Sequence, residues 1–101
     1  MTFAQIIRDK RKELQISQKD LAARIKKEDG STISPQYLND IERERRNPPP
    51  GYIIDQLAEV LDIPADDLYF LAGQMPSDLR SSTYEPKKVR QAFQAFRRKL
   101  G

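Results

Sequence analysis

Four side chains in one short stretch carry most of the chemistry this chain offers. Gln36, Tyr37, Asn39 and Asp40 lie in the run Ser34-Pro35-Gln36-Tyr37-Leu38-Asn39-Asp40-Ile41-Glu42. At helical spacing Leu38 and Ile41 fall on one side, which leaves the carboxamide, phenol and carboxylate groups facing outward. A carboxamide bonds adenine N6 and N7 together, a carboxylate accepts from cytosine N4, and an aromatic ring packs on a thymine methyl. Gln36 is the first choice for a base contact, with Tyr37 and Asp40 next and Asn39 nearer the helix edge. Arg43, Arg45 and Arg46 follow at once, where guanidinium groups suit the phosphate oxygens of double-stranded DNA.

Catalysis finds little footing. The 101 residues include no cysteine and no histidine, which removes disulfides, thiolate nucleophiles, imidazole bases and the common soft metal ligands. No nucleophile–base pair, phosphate-cradling loop or metal-ligand cluster is recognisable, so no catalytic residue, metal or cofactor is expected and the chain reads as a non-enzyme. A chain this short has a small core and suits surface binding better than a deep enclosed pocket. No apolar run approaches the length of a membrane span, and no leader-like stretch precedes the domain. A soluble, cytoplasmic protein without membrane contact is the expectation.

The reading stretch needs helices to hold it. Residues 2–14 form the first, with Thr2 and Gln5 placed for a capping box and Phe3, Ile6, Ile7 and Leu14 at helical spacing. The second begins at Ser17-Gln18-Lys19-Asp20, with Ser17 as N-cap and Leu21, Ala22 and Ile25 inward. The third begins at Ser34, with Pro35 at the first helical position, where no amide is needed. Ser17 and Ser34 therefore sit at helix N-termini, which bind phosphate readily. Residues 26–33 intervene between these two helices, longer than the usual turn of ~3–4 residues. Lys26 and Lys27 extend the second helix by a turn, Asp29-Gly30-Ser31 makes the reversal, and Ile33 tucks under the third helix. Two roles stay open for this insertion: Ser31 and Thr32 as phosphate donors, or a solvated loop touching nothing.

Asn47-Pro48-Pro49-Pro50-Gly51 is a stiff break. A fourth helix follows, with Ile53, Ile54, Leu57, Ala58, Val60 and Leu61 on its apolar face and a stop at Asp62-Ile63-Pro64. A fifth spans Ala65 to Ala72, with Leu68 and Leu71 inward and Gly73 as its stop. The fold class is all-α: a five-helix bundle over 1–73, a linker over 74–85 with one turn at Pro76–Arg80, and an amphipathic C-terminal helix within 86–101. Arg11 falls on the apolar stripe of the first helix and Glu42 on that of the third. Buried charges need partners, so the two are expected to pair.

The pattern S-Q-x-x-L-A…S-P-x-Y-L-x-x-I-E-x-x-x-R-x-P, over roughly residues 3–73, resembles the Cro/CI-type helix-turn-helix, the lambda-repressor-like family also called XRE. The resemblance implies a DNA-binding bundle whose third helix reads the major groove. It implies the Arg11–Glu42 pair, and a Gln18 that touches a phosphate and braces the reader. Three departures stand out. The family usually has glycine near Gln15 and at Glu44, so the first helix end is expected to differ in shape and the exit loop to stay helical for another turn. It often has a hydrogen-bonding side chain where Pro35 stands, and Pro35 supplies none.

Charge is distributed in blocks. Residues 8–46 carry eleven Lys/Arg against eight Asp/Glu, residues 47–84 carry Arg80 against six acids, and residues 85–101 carry six Lys/Arg against Glu85. Their net charges of +3, −5 and +5 suit a directional face rather than a polycation. On the last helix Val89, Phe93, Phe96 and Leu100 are spaced four, three and four, a coiled-coil-like stripe that must be covered. Its own bundle could cover it. The expectation is a second copy, in a homodimer bound to a palindromic operator with this helix as a main part of the interface. These features point to a DNA-binding transcription regulator, with repression as the expected sense. The alternative is an antitoxin that binds its operator and grips a toxin partner through the last helix.

Overall fold

Among the residues described by the computed structural model, 1–80 and 83–101, six α-helices form and no strand does. They are α1 (Phe3–Glu13), α2 (Gln18–Ala22), α3 (Pro35–Glu42), α4 (Gly51–Leu61), α5 (Ala65–Ala72) and α6 (Pro86–Leu100), with one 3-10 turn at Ser77–Leu79. The fold is all-α: a helical bundle carrying a C-terminal helix. α1 packs on α3, α4 and α5, α2 on α3, and α4 on α5. Ile7, Leu21, Ile25, Leu38, Ile54 and Leu57 meet in a core with no solvent exposure. Tyr69 is buried there too, beside Leu68, whereas Leu71 is only half-buried and Leu14 is exposed. Leu14 lies outside because α1 ends at Glu13 and leaves it as the C-cap.

Polar caps fix where the helices begin. Thr2 and Gln5 form the reciprocal capping box of α1, at 3.1 Å from Gln5 N to Thr2 Oγ1 and 2.9 Å from Thr2 N to Gln5 Oε1. Ser17 Oγ accepts from Asp20 N and Ser34 Oγ from Tyr37 N, each at 3.0 Å. The helix ends share a different device. Gln15, Glu44 and Asp62 all have left-handed backbones, with φ of 59°, 60° and 55°. At the first two the paired bonds of a Schellman stop are present: Ile16 N to Arg11 O with Gln15 N to Lys12 O, and Arg45 N to Asp40 O with Glu44 N to Ile41 O. The exit from α3 therefore turns sharply at Glu44 and does not remain helical, although a Cβ makes that conformation costly.

The insertion between α2 and α3 also differs from expectation. α2 stops at Ala22, and Lys26 and Lys27 are not helical. Lys26 instead makes an isolated antiparallel bridge to Thr32, closed by Lys27 N to Ser31 O at 2.7 Å and by Gly30 at φ 88°. The side chain of Gln56 on α4 pins this hairpin: Lys26 N donates to Oε1 at 2.7 Å and Nε2 donates to Lys26 O at 2.8 Å. The backbone groups of Lys26 thus have sheet-like and side-chain partners, which outcompete another helical turn. Ile25 and Ile33 are joined by a backbone bond and buried beneath the hairpin.

Residues 74–80 are not a free linker: side-chain bonds hold them on the bundle, as described below, and positions 81–82 of that stretch lie outside the described residues. α6 runs on from Pro86 with no buried residue. Its ring contact with the bundle is Phe96 against Phe70 of α5, with centroids 6.5 Å apart.

One ion pair ties α1 to α3. Arg11 Nε donates to Glu42 Oε2 and Arg11 Nη2 to Glu42 Oε1, both at 2.8 Å, while Arg11 Nη1 reaches Ile16 O at 2.9 Å. Glu42 is 2 % exposed and Arg11 9 %. The bonds to Glu42 raise the Arg11 pKa against the opposing effect of burial. Replacing Glu42 with alanine strands a buried guanidinium, and a loss on the order of 3 kcal/mol is expected in urea denaturation. Substitution at the strained stops acts the other way. Gln15→Gly and Glu44→Gly are each expected to raise stability by about 0.5–1 kcal/mol in the same measurement, because glycine adopts the left-handed backbone without steric conflict.

Candidate nucleic-acid interface

The reader helix α3 is short, and its register decides what it presents. Leu38, Ile41 and Glu42 are buried, so Gln36 faces solvent while Tyr37, Asn39 and Asp40 lie half-buried along its flanks. Gln36 Nε2 donates to Asp40 Oδ1 at 2.9 Å. This i,i+4 bond orients the carboxamide. It uses one of the two amide hydrogens and leaves the other, together with Oε1, directed outward, the donor and acceptor that an adenine edge requires. Asp40 keeps its second oxygen free to accept from a base amine.

Asn39 does not face outward with the other three. Its Oδ1 accepts from Gln18 Nε2 at 3.1 Å, so it lies on the α2 side of the reader. Gln18 Nε2 also donates to Glu42 Oε1 at 3.2 Å. The first residue of α2 is thereby bonded to the reader at two places, and the ion pair extends to join α1, α2 and α3. Arg8, which the sequence did not single out, adds a contact from α1: its Nη1 lies 3.4 Å from Glu42 O at the end of α3.

Tyr37 also has an internal partner. The Arg46 guanidinium stacks over its ring, 4.8 Å from the centroid, so one ring face is covered. Such a stack is worth about 0.5–1 kcal/mol at an exposed site. Because Glu44 turns the chain back, Arg46 returns over α3 and does not continue along the helix axis. Arg43, Arg45 and Arg46 are all exposed, and a shallow hollow is lined by Glu44, Arg45, Arg46 and Asn47. The ring beneath Arg46 restricts its side chain before any partner arrives.

Ser17 and Ser34 cap α2 and α3 through their oxygens, and each hydroxyl keeps its own proton to donate. Ser31 does not: its Oγ bonds Asp29 Oδ1 at 2.6 Å, and its backbone N bonds the same oxygen at 2.9 Å. These bonds hold the Asp29 carboxyl below its ordinary pKa. Committed to a carboxylate, and next to Glu28 and Asp29, Ser31 is unsuited to phosphate donation. Glu28 and Asp29 are offset by Lys26 and Lys27, so the insertion as a whole is neutral.

Val89, Phe93, Phe96 and Leu100 lie along one side of α6. Phe93, Phe96 and Leu100 are 40 %, 49 % and 68 % exposed. The sequence did not mark Phe70, Leu79 and Tyr84, which extend this surface. Phe70 is 65 % exposed beside Phe96, and Leu79 and Tyr84 line an open groove with Val89 and Phe93. No group of His, Cys, Asp and Glu among the described residues could hold a metal ion. No helix among them is long and apolar enough to cross a membrane.

No characterised protein and no solved structure matches the chain. The helix-turn-helix family model matches residues 7–68, from within α1 through the first half of α5, and includes the Arg11–Glu42 pair, Gln18 and the whole of α3. With two reader helices in place, a bracing glutamine and arginines beyond the reader, the chain belongs to the Cro/CI-type helix-turn-helix family of DNA-binding transcription regulators.

Proposed function

We propose that this protein is a sequence-specific repressor that binds a palindromic operator as a homodimer. The observation that carries the DNA side is the oriented Gln36–Asp40 pair on α3, flanked by Arg46 on Tyr37. α3 enters the major groove with its N-terminal half toward the bases. Gln36 bonds an adenine, Asp40 accepts from a neighbouring cytosine amine, and the uncovered part of Tyr37 meets a thymine methyl. Asn39 offers its amide hydrogens from the helix edge. Ser17, Gln18 and Ser34 approach phosphates on one side of the groove, and Arg43, Arg45 and Arg46 approach those on the other. Repression needs only occupancy of the operator, which a small DNA-binding dimer supplies.

The dimer rests on the open stripe of α6 and its extension through Phe70. Burying each phenylalanine contributes about 1.5–3 kcal/mol, and the protein's own bundle leaves both rings of α6 substantially exposed. The occupant we assign is a second copy. α6 carries six cations, and all six acidic side chains of residues 47–84 are exposed. Two α6 helices face to face would set cations against cations. α6 on the partner's α5, beside Asp66 and Asp67, matches opposite charges and repeats reciprocally about a two-fold axis. Readers one helical turn apart, ~34 Å, would then address the two halves of a palindrome. In an antitoxin the same stripe would be covered by a toxin chain instead, and the isolated chain would remain monomeric.

Site selection from random DNA, followed by binding to single-base variants, tests the reader. Gln36→Ala is expected to lose about 1–3 kcal/mol on the selected site and to relax preference at one base position. Arg46→Ala is expected to weaken all sequences alike and to flatten the salt dependence by about one unit. Uniform loss in both variants would remove the base-reading role from Gln36. Sedimentation at micromolar concentration without DNA tests the dimer. The whole chain is expected at twice its monomer mass, and a Phe93→Asp, Phe96→Asp double variant at the monomer mass. A monomeric whole chain would favour the antitoxin reading.

A further inference from the structure

The segment after α5 is locked to the bundle by bonds that the DNA-reading role does not use. Gln74 Nε2 donates to Pro49 O at 2.8 Å, within the proline turn that follows Arg46 and Asn47. Arg80 Nη2 donates to Gln74 Oε1 and Arg80 Nε to Met75 O, both at 2.7 Å. The Arg80 guanidinium also lies over the ring of Tyr69, 5.7 Å from its centroid. Tyr69 is itself fixed, because its hydroxyl donates toward Asp55 Oδ1 at 2.8 Å and lies 3.1 Å from Gly51 O. Ser77 Oγ reaches the other oxygen of Asp55 at 3.3 Å. A Cβ on Gly51 would stand 2.8 Å from the Tyr69 hydroxyl, so glycine at 51 is a requirement of this close approach. Burial, the foremost cause, raises the Tyr69 pKa, so the phenol stays a neutral donor over the ordinary pH range.

We infer that Arg80, acting through Gln74, is a positioning residue that fixes the direction in which the C-terminal arm leaves the bundle and so sets the spacing between operator half-sites. The inference rests on the dimer reading above. Hydrogen bonds run from the proline turn beyond Arg46 through Pro49 and Gln74 to Arg80. Leu79 lines an open groove together with Val89 and Phe93 of α6. Six peptide steps separate Arg80 from Pro86, at most ~20 Å of chain. Free over all of 74–85, the arm would span about twice that and would tolerate many half-site separations. Latched at Arg80, the arm has about half that reach, and the two readers are held within a narrower range of distances and angles. Each added base pair moves a half-site by about 3.4 Å and turns it by about 34°, so a latched dimer discriminates against neighbouring spacings.

The experiment uses the full chain and a set of palindromes that differ only in spacer length, with a single half-site as reference. The wild type is expected to dimerise and to prefer one spacer over those one base pair longer or shorter by about tenfold or more. Arg80→Ala and Gln74→Ala are expected to keep the dimer mass and the single half-site affinity while the preference falls below about threefold. Arg80→Lys keeps the charge but loses the planar fork, and is expected to broaden spacing in the same way. An unchanged preference in Arg80→Ala overturns the latch. So does a uniform loss over all spacers and the half-site, which would make Arg80 a phosphate contact, and so does loss of dimer mass, which would make it an interface residue. A monomeric wild type, or one without spacer preference, overturns the dimer reading itself. That failure shows in the wild-type arm and is distinct from a failure in the variants.

Discussion

The bidentate contact between Arg11 and Glu42 is the constraint on which the reader depends. Neither charge belongs among Ile7, Leu38 and Ile41, and each is tolerated because the other is 2.8 Å away. The pair does more than satisfy itself. Arg11 also holds Ile16 O, so the link between α1 and α2 is fixed, and Glu42 also accepts from Gln18, so the start of α2 is fixed to the end of α3. Three helices in a domain with a small core are thus joined by one connected set of hydrogen bonds. Apolar contacts alone would allow α3 to slide or rotate, because hydrophobic burial has no direction. A base-reading helix cannot tolerate that freedom, since bidentate contacts require side chains placed to within fractions of an ångström.

The sharp ends of the helices serve the same purpose at a local energetic cost. Gln15 and Glu44 hold left-handed backbones that glycine would adopt more easily. At Glu44 the result is a chain that doubles back, so that Arg46 comes to rest on Tyr37 rather than trailing into solvent. The three prolines then carry the chain stiffly into α4, where Pro49 is buried and its carbonyl receives Gln74. The strained stop and the proline turn together determine where Arg46 sits relative to α3.

Much of the bundle was legible in the sequence because its signals are local. Ser34-Pro35 marks a helix start, Leu38 and Ile41 mark its buried side, and a charge on each of two apolar stripes marks a pair. The parts that were not legible depend on distant chain segments. Nothing near Lys26 announces that Gln56, thirty residues on, will take both its backbone groups and stop α2 from lengthening. Tyr69 reads as an ordinary position on α5 until Gly51 and Asp55 are placed beside it. Asn39 sits only one residue from Asp40, yet Gln18 draws it to the opposite edge. Arg46 follows a helix end and reads as a phosphate contact with no partner in its own chain; the stack on Tyr37 requires the turn at Glu44, which a non-glycine residue concealed. Phe70 was hidden for a different reason: a lone exposed aromatic has no periodic signal until α6 is laid next to it.

The three charge blocks acquire a common logic once the helices are in place. The exposed acids of α4 and α5 would be repelled by DNA phosphates, so in the proposed complex they face away from the duplex while the arginines beyond α3 face toward it. In the proposed complex that orientation would favour α3 in the groove and discourage the domain from lying on DNA by any other side. The same acidic surface is then free, on the side remote from DNA, to receive a basic helix. In the proposed dimer that helix is α6 of the partner, and its cations are drawn away from DNA, where they would otherwise add sequence-independent affinity and blunt discrimination. One charge distribution would thus orient the reader and sequester the basic arm.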